Sequence, residues 1–142
     1  IKRYLENFPR VEQFMTRIVE DAERTGFVST LFGRRREVPE LKSHNKIQQA
    51  AGRRIAMNTP IQGTAADIIK LAMLHVDTAL RQAKLRARLI LQVHDELIVE
   101  CPKPQAAAAA KLLEEEMEQV AHLSVPLTAE AHWGRNWLEA KG

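Results

Sequence analysis

Two β-rich runs, residues 88–93 (Arg-Leu-Ile-Leu-Gln-Val) and 97–100 (Leu-Ile-Val-Glu), are separated only by His94, Asp95 and Glu96. A crossover between parallel strands needs a dozen or more residues, so so short a link can only turn the chain back as an antiparallel hairpin. A parallel α/β sheet is disfavoured on that ground. The reversal carries an imidazole and two carboxylates at its tip.

The segments around this hairpin read mostly as helix. From Pro9 to Thr25 the apolar residues Val11, Phe14, Met15, Ile18, Val19 and Ala22 recur at the spacing of one helix face, with Pro9 suited to a first turn and Gly26 just past the end. Residues 27–32 and 34–38, either side of Gly33, predict a small hairpin rich in arginine. Ser43 offers an N-cap for a helix reaching Asn58, in which Gly52 counts as a penalty of about 1 kcal/mol against alanine. Pro60 predicts an interruption or kink, with a second helix from about Ile61 to Leu80. Pro102 and Pro104 close the acidic-tipped hairpin, and the alanine run 106–110 leads into a helix carrying Leu112, Leu113, Met117 and Val120. Residues 125–132 read as a final strand, and Trp133 and Trp137 as packing residues. The order predicts an α+β fold in which helices cover an antiparallel sheet made of the central β-hairpin plus the C-terminal strand, preceded by an N-terminal helix and a small basic hairpin.

With 142 residues, the chain has the length of one compact domain, and its 45% apolar and 27% charged residues are those of a soluble globular protein. No apolar run reaches the roughly 18–20 residues that cross a bilayer, and no secretory leader is recognisable, so no membrane partner and a cytoplasmic location are expected. A lone cysteine, Cys101, excludes an internal disulfide and a zinc site built on cysteine pairs. Charge is distributed unevenly. Residues 26–58 hold seven Lys/Arg against two acids, residues 59–100 five against five, and residues from 101 onward four against six. A concentrated basic stretch is the expected footprint of a phosphate-rich partner.

Two groups of residues could carry chemistry. Carboxylates at a hairpin tip are fixed by the flanking ladder and projected toward a ligand, which suits Mg²⁺, a hard cation that takes one or two carboxylates together with substrate phosphates. The competing reading of His94-Asp95-Glu96 is a solvated turn. A His-Asp phosphohydrolase site is disfavoured, because the doublet lies between β-runs and no aspartate follows Asp95. Asp21, Asp67 and Asp77 read as exposed helical charges. Arg54, Asn58 and Gln62 recur every four residues and form one stripe of hydrogen-bond donors if the helix continues past Pro60. Donors suit the minor groove, where every base pair presents acceptors whatever the sequence. Arg34, Arg35 and Arg36 alternate sides along a strand, so at most two can face one partner as a backbone clamp.

Three segments, Gly26-Phe27-Val28 with Thr30-Leu31 and Gly33-Arg34-Arg35-Arg36, Asn58-Thr59-Pro60-Ile61-Gln62-Gly63-Thr64-Ala65-Ala66-Asp67-Ile68-Ile69-Lys70, and Gln92-Val93-His94-Asp95-Glu96-Leu97, together with Gly134-Arg135-Asn136-Trp137, resemble in order the C-terminal part of family A DNA polymerases. The resemblance covers nearly the whole chain. It implies that residues 1–45 are the last part of the fingers and 46–142 the C-terminal part of a palm with its antiparallel sheet. It further implies that Asp95 binds the two catalytic Mg²⁺ ions with Glu96 as an accessory carboxylate, that His94 and Gln62 lie near the primer terminus, and that Arg54 and Asn58 touch the primer-template minor groove. In that family a second catalytic aspartate and the helix holding the incoming dNTP lie upstream of the matching segment. The chain is therefore expected to be a fragment, inactive without the remainder of the polymerase. The competing function is a non-catalytic module that binds duplex DNA, and a third reading is a pure folding or oligomerisation domain.

Overall fold

The computed structural model describes residues 7–141; residues 1–6, which open the segment 1–45, and Gly142 lie outside the described residues. The first helix, α1 (Pro9–Thr25), stops where Gly26 turns left-handed at φ +88° and its N–H bonds back to the Ala22 carbonyl at 2.8 Å. Strands β1 (Phe27–Ser29) and β2 (Arg35–Glu37) then pair antiparallel, Phe27 opposite Glu37 and Ser29 opposite Arg35. Between them the Thr30 N–H donates to the Arg34 carbonyl at 2.9 Å and the Gly33 N–H to the Thr30 carbonyl at 3.0 Å. A 3-10 turn (Pro39–Lys42) leads to the long helix α2 (Lys46–Gln82). Its N-terminus is capped by Asn45 rather than Ser43: the Asn45 Oδ1 accepts the Ile47 N–H at 2.9 Å.

Pro60 does not divide α2, contrary to the two abutting helices expected from sequence; one helix of 37 residues runs through it. A proline removes one backbone hydrogen bond and crowds the preceding turn, at a cost of about 3 kcal/mol. Packing on both sides outweighs that cost, with Ala56 and Thr59 buried before the proline and Ala72, Val76 and Leu80 buried after it.

Contacts divide the chain into two units, residues 1–67 and 68–142, the boundary falling within α2. The core of the first unit is Ala22, Val28, Val38, Leu41 and Ala56, with Ile18, Val19 and Ile55 against it. Gly52 is buried here rather than being a tolerated weak point. A Cβ on it would come 2.9 Å from the Leu41 backbone nitrogen and 3.0 Å from the Glu40 Cβ, so only glycine lets the 3-10 turn lie against the helix.

In the second unit α2 ends at Gln82; Lys84, just past it, is left-handed at φ 54°, and the Leu85 N–H bonds to the Leu80 carbonyl. Strands β3 (Arg88–Val93) and β4 (Glu96–Glu100) form the second hairpin, with a bulge between Leu89 and Leu91. Helix α3 (Ala106–Gln119) packs Leu112, Leu113 and Met117 against a core of Ala72, Val76, Leu80 and Leu97. A short helix, α4 (Trp137–Lys141), follows an irregular stretch.

The α+β class holds, but the sheet differs from the expected one: residues 125–132 form no strand among the described residues, and the two hairpins are separate two-stranded sheets. The stretch keeps the period-2 exposure of a strand, half-burying Leu127, Ala129 and Ala131. Its amides are taken by side chains instead of a ladder. Glu118 accepts the Ala129 N–H at 3.0 Å and Glu114, one helical turn earlier on α3, accepts the Ala131 N–H at 2.7 Å. Trp133 and Trp137, expected to pack, are 61% and 45% exposed. Among the described residues no helix is long and apolar enough to cross a membrane.

Gly52→Ala reverses the sign that helix propensity alone would give. In an open helix it would gain about 1 kcal/mol; against the Leu41 backbone it is expected to cost about 1–3 kcal/mol of overpacking. Denaturant unfolding measures the difference, and a stabilised variant would refute the close packing.

Candidate nucleic-acid interface

Because α2 continues through Pro60, the four-residue steps from Arg54 to Asn58 to Gln62 form one unbroken stripe of exposed side chains. This stripe is one wall of an open groove of about 300 Å³, which Arg36, Ala51, Ile55 and Thr59 complete. Two guanidinium groups and two amides therefore share one concavity, and no carboxylate lines it. Among the described residues none of the side chains of Arg36, Arg54, Asn58 and Gln62 is engaged in an internal hydrogen bond or ion pair, which leaves their donors for a ligand rich in acceptors.

The three consecutive arginines of the first hairpin go to three different places. Arg34 turns inward: its Nε donates to the Asp67 Oδ1 at 2.7 Å and its Nη2 to the Gly63 carbonyl at 3.3 Å. Arg35 lies over the Phe27 ring, 4.5 Å from its centroid, as the diagonal pairing of β1 and β2 permits. Arg36, opposite the buried Val28, reaches the groove. Strand alternation produces the split, with Arg34 and Arg36 on the side of α2 and Arg35 on the other.

Asp67 is the residue that sequence reasoning missed. Read as an exposed helical charge, it is 9% exposed and bears the hairpin's ion pair. A signal was present. Gly52, Ala56, Thr59, Gly63 and Asp67 recur at steps of four, three, four and four, which marks a helix face of small side chains ending in a carboxylate. The turn of the hairpin lies on this face. The Leu31 N–H donates to the Thr64 Oγ1 at 2.9 Å, and a Cβ on Gly63 would stand 2.7 Å from the Thr30 Cγ2.

The second hairpin is tighter than expected. Val93 pairs with Glu96, so Glu96 is the first residue of β4 and the reversal itself is His94 and Asp95 alone. Such a link needs positive φ, and His94 supplies it at φ 54°. The conformation costs an L-residue with a Cβ about 1–2 kcal/mol. The Gln92 amide, donating to the His94 carbonyl at 2.6 Å, helps to hold it. His94, Asp95 and Glu96 are all exposed. The tip thus offers two adjacent hard-oxygen donors. Among the described residues no group of three or more His, Cys, Asp or Glu side chains gathers around a common point.

The sequence model of DNA polymerase family A matches residues 1–139, so the chain belongs to that family. It is 48% identical to DNA polymerase I of Bacillus caldotenax and 48% identical to the thermostable DNA polymerase I of Thermus aquaticus, each over 99% of the chain. Among solved structures it resembles the POL domain of Pol1 from M. smegmatis, in a complex with DNA primer-template and dNTP, at 42% identity and a TM-score of 0.96 over 99% of the chain. The chain spans 16% and 17% of the length of the two curated relatives and 25% of the solved chain.

Proposed function

We propose that this chain forms the C-terminal part of a DNA polymerase I, residues 1–45 belonging to the fingers and 46–142 to the palm. The whole enzyme transfers a nucleotidyl group from a dNTP to the 3′ hydroxyl of a DNA primer and releases pyrophosphate. The observation that carries this reading is the groove in which Arg36, Arg54, Asn58 and Gln62 present free donors along α2. Minor-groove acceptors occupy equivalent positions in every correct base pair, so a row of donors holds a primer-template duplex and senses pair geometry without reading sequence. Arg36 and Arg54 add attraction to the phosphate backbone. Gln62 and His94 are assigned to the neighbourhood of the primer terminus.

Asp95 and Glu96 are the residues that would hold magnesium, Asp95 as ligand to both ions and Glu96 as accessory. Bound there with a further carboxylate from the rest of the polymerase, Mg²⁺ supplies charge stabilisation at the attacking and leaving oxygens of the displacement. The protein's own contribution is positional. The β3–β4 ladder fixes the two carboxylates to within the play of one tight reversal. The chain alone is inactive in this reading, since it supplies one share of the site.

Two measurements in the complete polymerase test the proposal. Asp95→Asn is expected to lower primer extension by several orders of magnitude while primer-template affinity changes little; normal extension would refute the assignment and leave the groove as that of a DNA-binding module. Arg54→Ala is expected to weaken duplex binding and to reduce the slope of log K against log salt by about one. Unchanged affinity and slope would remove the groove from the DNA interface.

A further inference from the structure

The groove has two walls of different origin. Arg54, Asn58 and Gln62 are fixed by the helix that bears them. Arg36 comes from a two-stranded hairpin of three residues per strand, and a ribbon that short has no stability of its own. The place of Arg36 therefore depends on whatever fastens the hairpin to α2. Val28, the middle residue of β1 and the cross-strand partner of Arg36, packs into the core. At the turn, the fastening consists of the Leu31 N–H on Thr64, the bare surface of Gly63 beneath Thr30, and the fork from Arg34 to Asp67 and the Gly63 carbonyl.

We propose that Asp67 is a positioning residue for duplex binding: by holding Arg34 it sets the hairpin along α2 so that Arg36, two residues further on the same strand face, stands at the phosphate edge of the donor-lined groove. The inference rests on the groove being the duplex interface. Geometry supports it at three points. Arg34, just before β2, and Arg36 within it both reach α2, so displacing one displaces the other through the single extended residue between them. Asp67 is borne by α2, the helix that also carries Arg54, Asn58 and Gln62, which makes it a reference point on the same element. The Asp67 side chain is 10% exposed while that of Arg34 is 50% exposed, so the carboxylate is the fixed member of the pair and the arginine the one that is held. Arg34 is spent on this contact, which accounts for a run of three arginines delivering one to the groove.

The test uses the complete polymerase and a primer-template duplex titrated at several salt concentrations. Asp67→Asn keeps the shape and removes the charge. It is expected to raise Kd about tenfold and to reduce the salt slope by about one, the loss expected of a single phosphate contact. Arg34→Gln, at a half-exposed position and less able to disturb the fold, is expected to do the same; Asp67→Glu should restore most of the affinity. In an Arg36→Ala background, Asp67→Asn should add almost nothing, because the contact it positions is already gone. A lowered Tm with affinity and salt slope unchanged would show a structural pair only and overturn the proposal. Additive losses in the double variant would overturn it as well, since Asp67 would then act by another route. If Arg54→Ala and Arg36→Ala both leave binding intact, the groove reading itself has failed; if they weaken binding while Asp67→Asn and Arg34→Gln do not, only the positioning inference has.

Discussion

Close approach of a short basic hairpin and a 3-10 turn to one face of α2 is the constraint on which the first unit depends. Gly52 and Gly63 make it possible, each by the absence of a Cβ where the neighbouring chain lies within about van der Waals contact. Small size alone would leave the hairpin free to slide along the helix. Thr64 and Asp67 convert proximity into register through one hydrogen bond to the turn and one ion pair. Register matters because a side chain on the hairpin completes a groove whose other wall is the helix itself.

The second unit solves a different problem, that of presenting charge from an apolar element. Leu97 and Leu89 face a core shared with α2 and α3, and that burial holds a ribbon too small to persist unaided. The ribbon then reverses over two residues, with His94 in a backbone conformation that favours glycine. Glycine would ease the turn but would bring no imidazole to the tip. The bulge at Ile90 changes which side of the ribbon each following residue faces, and Ile90 and Leu91 stay 55% and 44% exposed. Further along, α3 uses two glutamates to take up the amides of an extended stretch that finds no strand to pair with among the described residues.

Helix and strand positions were largely legible in the sequence because they follow from periodicity and punctuation. Residues 9–25 carry an unambiguous helical repeat closed by glycine, and the spacing from 88 to 100 admits only an antiparallel reversal. The donor stripe at 54, 58 and 62 was legible for the same reason, since its geometry is that of a single helix. Four of the readings failed where an outcome depended on a neighbour. Pro60 is a helix breaker by its own chemistry, yet packing on both sides of it keeps α2 whole. Residues 125–132 have the alternation of a strand, but pairing requires an available edge, and carboxylates from α3 took the amides instead. Asp67 and Gly52 look like ordinary surface positions until the segment that covers them is in place.

The sequence by itself determined the order and type of the elements, the acidic tip and the family to which the chain belongs, because these rest on local spacing and on residues close together in the chain. Tertiary structure alone decided which of the three adjacent arginines reaches the groove, and that Asp67 lies buried beneath another. Those assignments join residues 33 positions apart. The physical reason is that an ion pair forms where two chain segments are brought within about 3 Å in a low-dielectric setting, and no pattern along either segment encodes the distance to the other.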